Sequence, residues 1–332
     1  MVTVLRGAFF LMTERPKVMV ALSLDEDALK RLGEVADFDI VEDYSIRTKE
    51  GLLKIIDNYD GAIVGLPPFD REVLDKTHRL KVISRHGVGY DSVDIKAANE
   101  KGIVVTITPA NAVSVAEIAF GLILAVARKI PQAHFYVKEK QWSRRASRAS
   151  LNGVELSGKT LGIIGLGRIG SRVAKIGKGF DMKLLYCDIV RKRKMEKELP
   201  IERRSLNQLL AESDFVSVHV PLTDETRGMI GENELKTMKR DAVLINTARG
   251  PIVDERALHH ALKEKWIAAT GLDVFEQEPI NQDNPLLELD NVVFTPHVAG
   301  STAEARSRCA MMAVENTINV LQGKETENAV TS

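Results

Sequence analysis

Three side chains close separate apolar runs and together carry groups for acid–base and carboxylate chemistry: Arg249 in NTARG, Glu278 in FEQEP and His297 in TPHVAG. A guanidinium holds a carboxylate in a planar fork and polarises a neighbouring carbonyl. An imidazole gives or takes a proton near neutral pH. A carboxylate hydrogen-bonded to the second ring nitrogen orients the ring and stabilises its protonated form. A 2-oxo acid presents a carboxylate and a carbonyl, so the set suits hydride transfer to and from such a molecule, with a nicotinamide supplying the hydride. Singly, each residue has a plainer reading. Arg249 reads as a surface charge, Glu278 as a turn acid before Pro279, and His297 as a capped, satisfied histidine. Spacing alone does not join them.

Positioning such groups needs a sheet, and the stretch Thr160 to Asp188 shows one being built. A short apolar run, Leu161 to Ile164, is followed by Gly165, Gly167 and Gly170 in the spacing G-x-G-x-x-G. Ile169, Val173 and Ile176 then lie on one helical face, and a second apolar run ends on Asp188. The first glycine allows a tight turn, the second lets the backbone approach a pyrophosphate, and the third lets helix and strand pack closely. The helix N-terminus offers N–H groups to the phosphates. Asp188, about 20 residues beyond the last glycine, is placed to accept the ribose hydroxyls. Asp188 repels a 2′-phosphate and favours NAD, while Arg191, Lys192, Arg193 and Lys194 leave NADP open.

The 332 residues suffice for about two domains. Lys and Arg total 46, matching 46 Asp and Glu, so nothing global argues for nucleic acid or an anionic membrane as partner. Cys187 and Cys309 form no metal-like spacing, which points to free thiols, a cytoplasmic location and no metal. The longest apolar run, Ile118 to Ala127, is shorter than the roughly 20 residues a membrane span needs. The N-terminal stretch to Pro16 reads as a leader or tail rather than a signal peptide.

Before the glycine stretch the pattern alternates strand and helix: strands at Lys17–Leu22, Asp39–Val41, Gly61–Val64 and Lys81–Ser84, helices at Leu24–Leu32, Thr48–Asn58 and Arg71–Thr77. This predicts a parallel doubly wound sheet without a phosphate-binding fingerprint, hence a separate domain. The loop Arg85–Asp94, with Gly87 and Gly89, leaves the carboxyl end of a strand. It reads equally as an anion nest around Val88 and Gly89 or as an ordinary turn. A long apolar helix spans Val113–Arg128, with Asn111 or Ser114 as cap. Residues 129–159 lack strong apolar repeats and read as a long loop. It is either solvated or an arm to a second subunit anchored by Trp142. Four strands follow the glycine pair, at Phe215–Val220, Val243–Asn246, Ala268–Val274 and Val292–Thr295. A long helix, Thr302–Gln322, ends at Gly323.

Several ordered motifs carry a family resemblance: SRHGVGYDSVD at 84–94, PANAVSVAE at 109–117, GIIGLGRIGSRVA at 162–174, HVPLTDETRGMI at 219–230, LINTARGPIVDERAL at 244–258, GLDVFEQEP at 271–279 and TPHVAGSTAEA at 295–305. From about Lys17 onward the chain resembles the D-isomer-specific 2-hydroxyacid dehydrogenases, and within them the phosphoglycerate dehydrogenase-like group. The resemblance implies an α/β fold of two Rossmann-like doubly wound domains. A flavodoxin-like substrate domain, residues 1–108 and 302–332, is interrupted by an NAD-binding domain, residues 109–301, with a dimerisation segment at about 129–159. It places Arg249, Glu278 and His297 at the catalytic positions. Arg168 and Ile169 fall beside the pyrophosphate and Asp188 at the ribose. Val220, Thr247, Ala248 and Gly300 fall on cofactor-lining loops, and Asp273 near the nicotinamide amide. Val88 and Gly89 match the loop whose amides meet the substrate, Val88 also the cofactor. The implied activity is NAD(H)-linked interconversion of a 2-oxo acid and its D-2-hydroxy acid by a homodimer. A cofactor-sensing, corepressor-like binding protein is the alternative.

Two departures bear on substrate and regulation. Some relatives carry a histidine after Ala-Glu in the long helix, where this chain has Ile118. Longer phosphoglycerate dehydrogenases continue into regulatory domains, and the end at Ser332 predicts no serine feedback of that kind. The basic residues Arg144, Arg145 and Arg148 read as solvated, or as a partner's contribution to binding an anionic substrate tail.

Overall fold

The computed structural model describes residues 14–41, 46, 48–65, 67–142 and 150–330. The chain forms two units, residues 1–110 with 307–332, and residues 111–306.

The first unit is built on five parallel strands: β1 (Lys17–Val20), β2 (Asp37–Ile40), β3 (Gly61–Val64), β4 (Val82–Arg85) and β5 (Val104–Thr106). Their order in the sheet is β2-β1-β3-β4-β5. The inner strands are apolar on both sides because both faces are covered. Met19, Ala62 and Ile83 pack with Leu52, Val73 and Ala97, whereas Val18, Val20 and Ile63 pack with Leu32, Ala313 and Val314. The second set shows the C-terminal helix returning to close this sheet. Aspartates start the helices Glu26–Gly33, Arg71–Asp75 and Ile95–Glu100: Asp25, Asp70 and Asp94 each accept the N–H of the third residue beyond. The single helix expected over Thr48–Asn58 is instead a helix at Lys49–Leu53 and a 3₁₀ turn at Ile56–Asn58. Bonds from Lys54 N to Gly51 O, Ile55 N to Leu52 O and Asn58 N to Ile55 O tighten the chain and end the α pattern.

The second unit has seven parallel strands: β6 (Thr160–Ile164), β7 (Lys183–Cys187), β8 (Ile201–Arg203), β9 (Phe215–Val218), β10 (Val243–Asn246), β11 (Ala269–Leu272) and β12 (Val292–Phe294). Their order is β12-β11-β10-β9-β6-β7-β8, so the winding direction reverses between β6 and β9. Ligands of open α/β sheets bind at such a reversal, beyond the carboxyl ends of the strands. Five strands rather than four follow the glycine pair. The extra one, β8, is a three-residue edge strand in which Ile201 alone is buried, so it leaves no apolar run to read.

The helix Ala112–Ala127 packs on this sheet through Ala116, Ala119, Phe120, Leu122 and Ile123, all nearly inaccessible. With its lead-in, Pro109–Ala127 is long and apolar enough to cross a membrane, but just over half of that span is buried inside the protein. Neither expected cap serves it. Asn111 occupies the cap position without a capping bond, and the Ser114 hydroxyl bonds Thr302 instead. Residues 129–159 are not simply a loop, because Ile130–Lys138 is helical with Pro131 in its first turn. Only Tyr136 of that helix is buried, so it shows no core-facing stripe. The final helix, Ala303–Leu321, ends near Gly323, whose φ of 71° and N–H to Val320 fit a helix stop.

Candidate active site

The glycine turn after β6 is shaped by what surrounds each glycine. Gly165 has φ of 90°, and a Cβ there would fall 2.6 Å from the His219 carbonyl oxygen. At Gly170 a Cβ would meet the Gly165 carbonyl at 2.1 Å, so helix Arg168–Gly179 can approach the strand only with glycine here. A Cβ on Gly167 would meet nothing within 4 Å. Gly167 also sits at the helix N-cap with no side-chain acceptor, Arg168 beside it is exposed, and Ile169 is partly buried. Open space over a helix N-terminus is what a pyrophosphate requires.

Asp188, at the end of β7, is tied into this turn. Its Oδ2 accepts the Leu166 N–H at 2.9 Å and lies 3.4 Å from Lys192 Nζ, and its Oδ1 accepts the Val190 N–H at 2.9 Å. Arg203 donates to the Asp188 carbonyl at 2.9 Å. A hollow of about 720 Å³ borders Asp188, Cys187, Arg191, Arg203, Ser205 and Gln208. It is not lined by Arg249, Glu278 or His297, so it relates to the Asp188 side of the unit and not to the trio.

Across the reversal, the loops after β9 and β10 carry Val220, Thr247 and Ala248. His219 bonds Ser217 Oγ through Nε2 at 2.8 Å, and burial pushes its imidazole down to about 3, so it is neutral at physiological pH. Among the described residues, His219 Nδ1 and Thr247 Oγ1 are buried without a hydrogen-bond partner. Buried polar groups are nearly always satisfied. Two such atoms on the loops after β9 and β10, with the space at Gly167, fit a dinucleotide with polar edges.

The three candidate chemical residues all lie in this second unit, on the loops after β10, β11 and β12. Asn246 clips the first loop, accepting the Ala248 N–H at 3.0 Å and donating to the Arg249 carbonyl at 2.8 Å. Arg249 is half-buried and its Nη1 donates to the Ala248 carbonyl at 2.7 Å. The next residue, Gly250, lies so close to the following loop that a Cβ would fall 1.9 Å from the Phe275 carbonyl carbon and oxygen. The Arg249 and Glu278 loops therefore meet backbone to backbone.

Asp273, fully buried after β11, organises the histidine loop. Its Oδ1 accepts from Thr295 Oγ1 at 2.6 Å and from Val298 N at 2.9 Å, and its Oδ2 accepts from Ala299 N at 2.9 Å. Its carbonyl accepts the His297 N–H at 2.8 Å. His297 itself has φ of 51°. A left-handed non-glycine residue costs roughly 1–3 kcal/mol. The bonds that Thr295, Val298 and Ala299 make to Asp273 on either side of His297 hold the loop in that conformation.

His297 Nδ1 lies 2.5 Å from Glu278 Oε2, and Glu278 Oε1 accepts the Phe275 N–H at 3.0 Å. Burial acts to raise the Glu278 carboxyl. The bonds from His297 and Phe275, together with the nearby charges of His297 and Arg249, outweigh it and hold the group below the usual carboxylate range. An ionised carboxylate only accepts, so the proton on this edge of the ring sits on Nδ1 and Nε2 is left to exchange a proton with a ligand.

Other expected site residues have different surroundings. Gly300 packs against Asn111, where a Cβ would fall 2.8 Å from Nδ2. Val88 and Gly89 belong to the first unit, on the loop after β4. Arg85 Nε donates to the Gly89 carbonyl at 3.0 Å, and Gly87 N donates to Thr108 Oγ1 at 2.6 Å, fixing that loop's shape. Arg144, Arg145 and Arg148 lie outside the described residues. Asn246, Gly250 and His219 escaped the sequence reading. The glycine directly after Arg249 is the signal that could have shown a close backbone approach.

Comparison with known proteins points the same way. The sequence profile of the D-isomer specific 2-hydroxyacid dehydrogenase NAD binding domain matches residues 120–299. A glyoxylate reductase of Korarchaeum cryptofilum is 45% identical over 319 residues, covering 95% of this chain and 96% of that protein. A D-3-phosphoglycerate dehydrogenase of Methanocaldococcus jannaschii is 44% identical over 317 residues, covering 95% of this chain but 59% of that protein. The structure of D-lactate dehydrogenase from Aquifex aeolicus with NAD and lactic acid superimposes with a TM-score of 0.84 at 31% identity, covering 95% and 99% of the two chains.

Proposed function

The chain belongs to the D-isomer specific 2-hydroxyacid dehydrogenase family, and on that premise we propose that it reduces glyoxylate or hydroxypyruvate to the corresponding 2-hydroxy acid with NADH. As a member it is an enzyme, a nicotinamide-dinucleotide-dependent 2-hydroxyacid dehydrogenase. The choice of a small, unphosphorylated substrate is supported by the glyoxylate reductase that matches along nearly its whole length.

The observation that carries the proposal is the His297–Glu278 contact beside Arg249. Arg249 holds the substrate carboxylate and polarises the carbonyl. His297 Nε2 gives its proton to the carbonyl oxygen during reduction and takes it back in the reverse direction. Glu278 keeps the ring oriented and stabilises it while protonated. A bound nicotinamide dinucleotide supplies or accepts the hydride. Gly165, Gly167, Arg168, Ile169 and Gly170 would hold its pyrophosphate, Asp188 its ribose, and Val220, Thr247 and Ala248 its flank. Asp188 supports NAD over NADP, because a carboxylate repels a 2′-phosphate. We also propose a homodimer formed through the segment at about 129–159, where Ile130, Phe135, Val137, Trp142 and Val154 are about half exposed or more.

Oxidation of NADH is measured with glyoxylate, hydroxypyruvate, pyruvate and phosphohydroxypyruvate. The highest kcat/KM is expected on glyoxylate or hydroxypyruvate. A preference for phosphohydroxypyruvate would overturn the substrate assignment.

A further inference from the structure

Glu255 is the first residue of the helix Glu255–Lys263, but it does not cap that helix. Asp254 does so, accepting the Ala257 N–H at 2.9 Å. The Glu255 carboxylate turns instead to the loop that carries Glu278. Its Oε1 accepts the backbone N–H of Glu276, and its Oε2 accepts from Asn284 Nδ2 at 2.7 Å. These two donors stand at either end of residues 276–284. Asn284 is itself fixed, because its Oδ1 accepts the Leu286 N–H at 3.0 Å and caps the turn Pro285–Glu288.

One carboxylate therefore clasps both ends of the loop. The residue before Glu276 donates its N–H to Glu278 Oε1, and Glu278 Oε2 meets His297. On the same segment as Glu255, Gly250 abuts the backbone of Phe275 and Glu276. The short stretch from Arg249 to Glu255 thus fixes where Glu278 sits relative to Arg249.

We infer that Glu255 is a positioning residue for the Glu278–His297 pair, holding the Glu278 loop at the distance where its carboxylate reaches the imidazole. The inference rests on the catalytic reading of that pair. Hydrogen bonds to an ionised carboxylate are among the stronger ones in a protein. Misplacing a catalytic group by about 1 Å can cost on the order of 100-fold in rate. His297 and Arg249 are the charged groups acting on Glu278, and Glu255 acts on the imidazole through the loop that carries Glu278.

The test compares Glu255→Ala and Glu255→Gln with Glu278→Gln and His297→Ala, reading kcat, KM, NADH binding by fluorescence, and the pH dependence of kcat for reduction. Glu255→Ala is expected to lower kcat by about 10-fold or more with NADH affinity unchanged. Its alkaline limb is expected to move to lower pH, in the same direction as in Glu278→Gln. Glu255→Gln keeps an acceptor for Glu276 but sets an amide nitrogen against that of Asn284, so it falls between the two and serves if the alanine variant does not fold. Wild-type kcat and an unmoved alkaline limb in either folded variant, whatever the change in Tm, would overturn the inference. If His297→Ala retains wild-type turnover, the catalytic reading fails instead, a result distinct from silence at Glu255 alone.

Discussion

At the scale of single residues, the sequence could single out ionisable groups but could not join them. Arg249, Glu278 and His297 stood out as ionisable groups ending apolar runs, and the structure joins Glu278 to His297 by a short contact. What could not be read was the support: Asn246 clipping the Arg249 loop, Asp273 holding three groups of the histidine loop, Glu255 clasping the glutamate loop. Asp273 and Glu255 bond groups more than 20 residues away, Asn246 lies only three residues from Arg249, and nothing in residue type marks any of the three. Asp188 is a residue whose type and position suggested a role at the ribose. Its carboxylate already bonds Leu166 and Val190, with Lys192 and Arg203 close by. Replacing Asp188 by alanine removes the negative charge and leaves the cations. The ratio of kcat/KM for NADPH to that for NADH is then expected to rise about 10-fold or more, equivalent to roughly 1.4 kcal/mol. An unchanged ratio would show that Asp188 does not discriminate between the cofactors.

At the scale of elements, the strands with continuous apolar runs were legible because covered parallel strands are apolar on both sides. The short edge strand β8 was not, since Glu202 and Arg203 face solvent and only Ile201 is buried. The helix Ile130–Lys138 escaped for a related reason. Its apolar residues do not form a stripe buried in its own chain, and Ile130, Phe135 and Val137 remain about half exposed or more. Exposed apolar side chains grouped on one segment mark an interaction surface. For the proposed homodimer, sedimentation is expected to give twice the chain mass for the wild type and one chain mass for Phe135→Glu, because a charge buried without a partner opposes association. A wild-type monomer, or a variant that stays dimeric, would contradict the use of this segment.

At the scale of the whole molecule, the organisation lay in the order of patterns. A doubly wound stretch without a glycine fingerprint precedes one that has it, and the sheets order as β2-β1-β3-β4-β5 and β12-β11-β10-β9-β6-β7-β8. The second order explains why residues as far apart as Arg249 and His297 belong together: β10, β11 and β12 are consecutive neighbours, so their carboxyl-end loops are neighbours too. Sequence spacing cannot show that, but a parallel sheet enforces it. In the proposed mechanism this row of loops performs the proton transfer through His297. That role is tested most directly by comparing kcat for NADH-linked reduction of glyoxylate and hydroxypyruvate in the wild type and in His297→Ala, with NADH binding measured alongside. A loss of at least about 100-fold in kcat is expected with NADH binding retained, whereas turnover near the wild-type rate in a variant that binds NADH would overturn the role of His297.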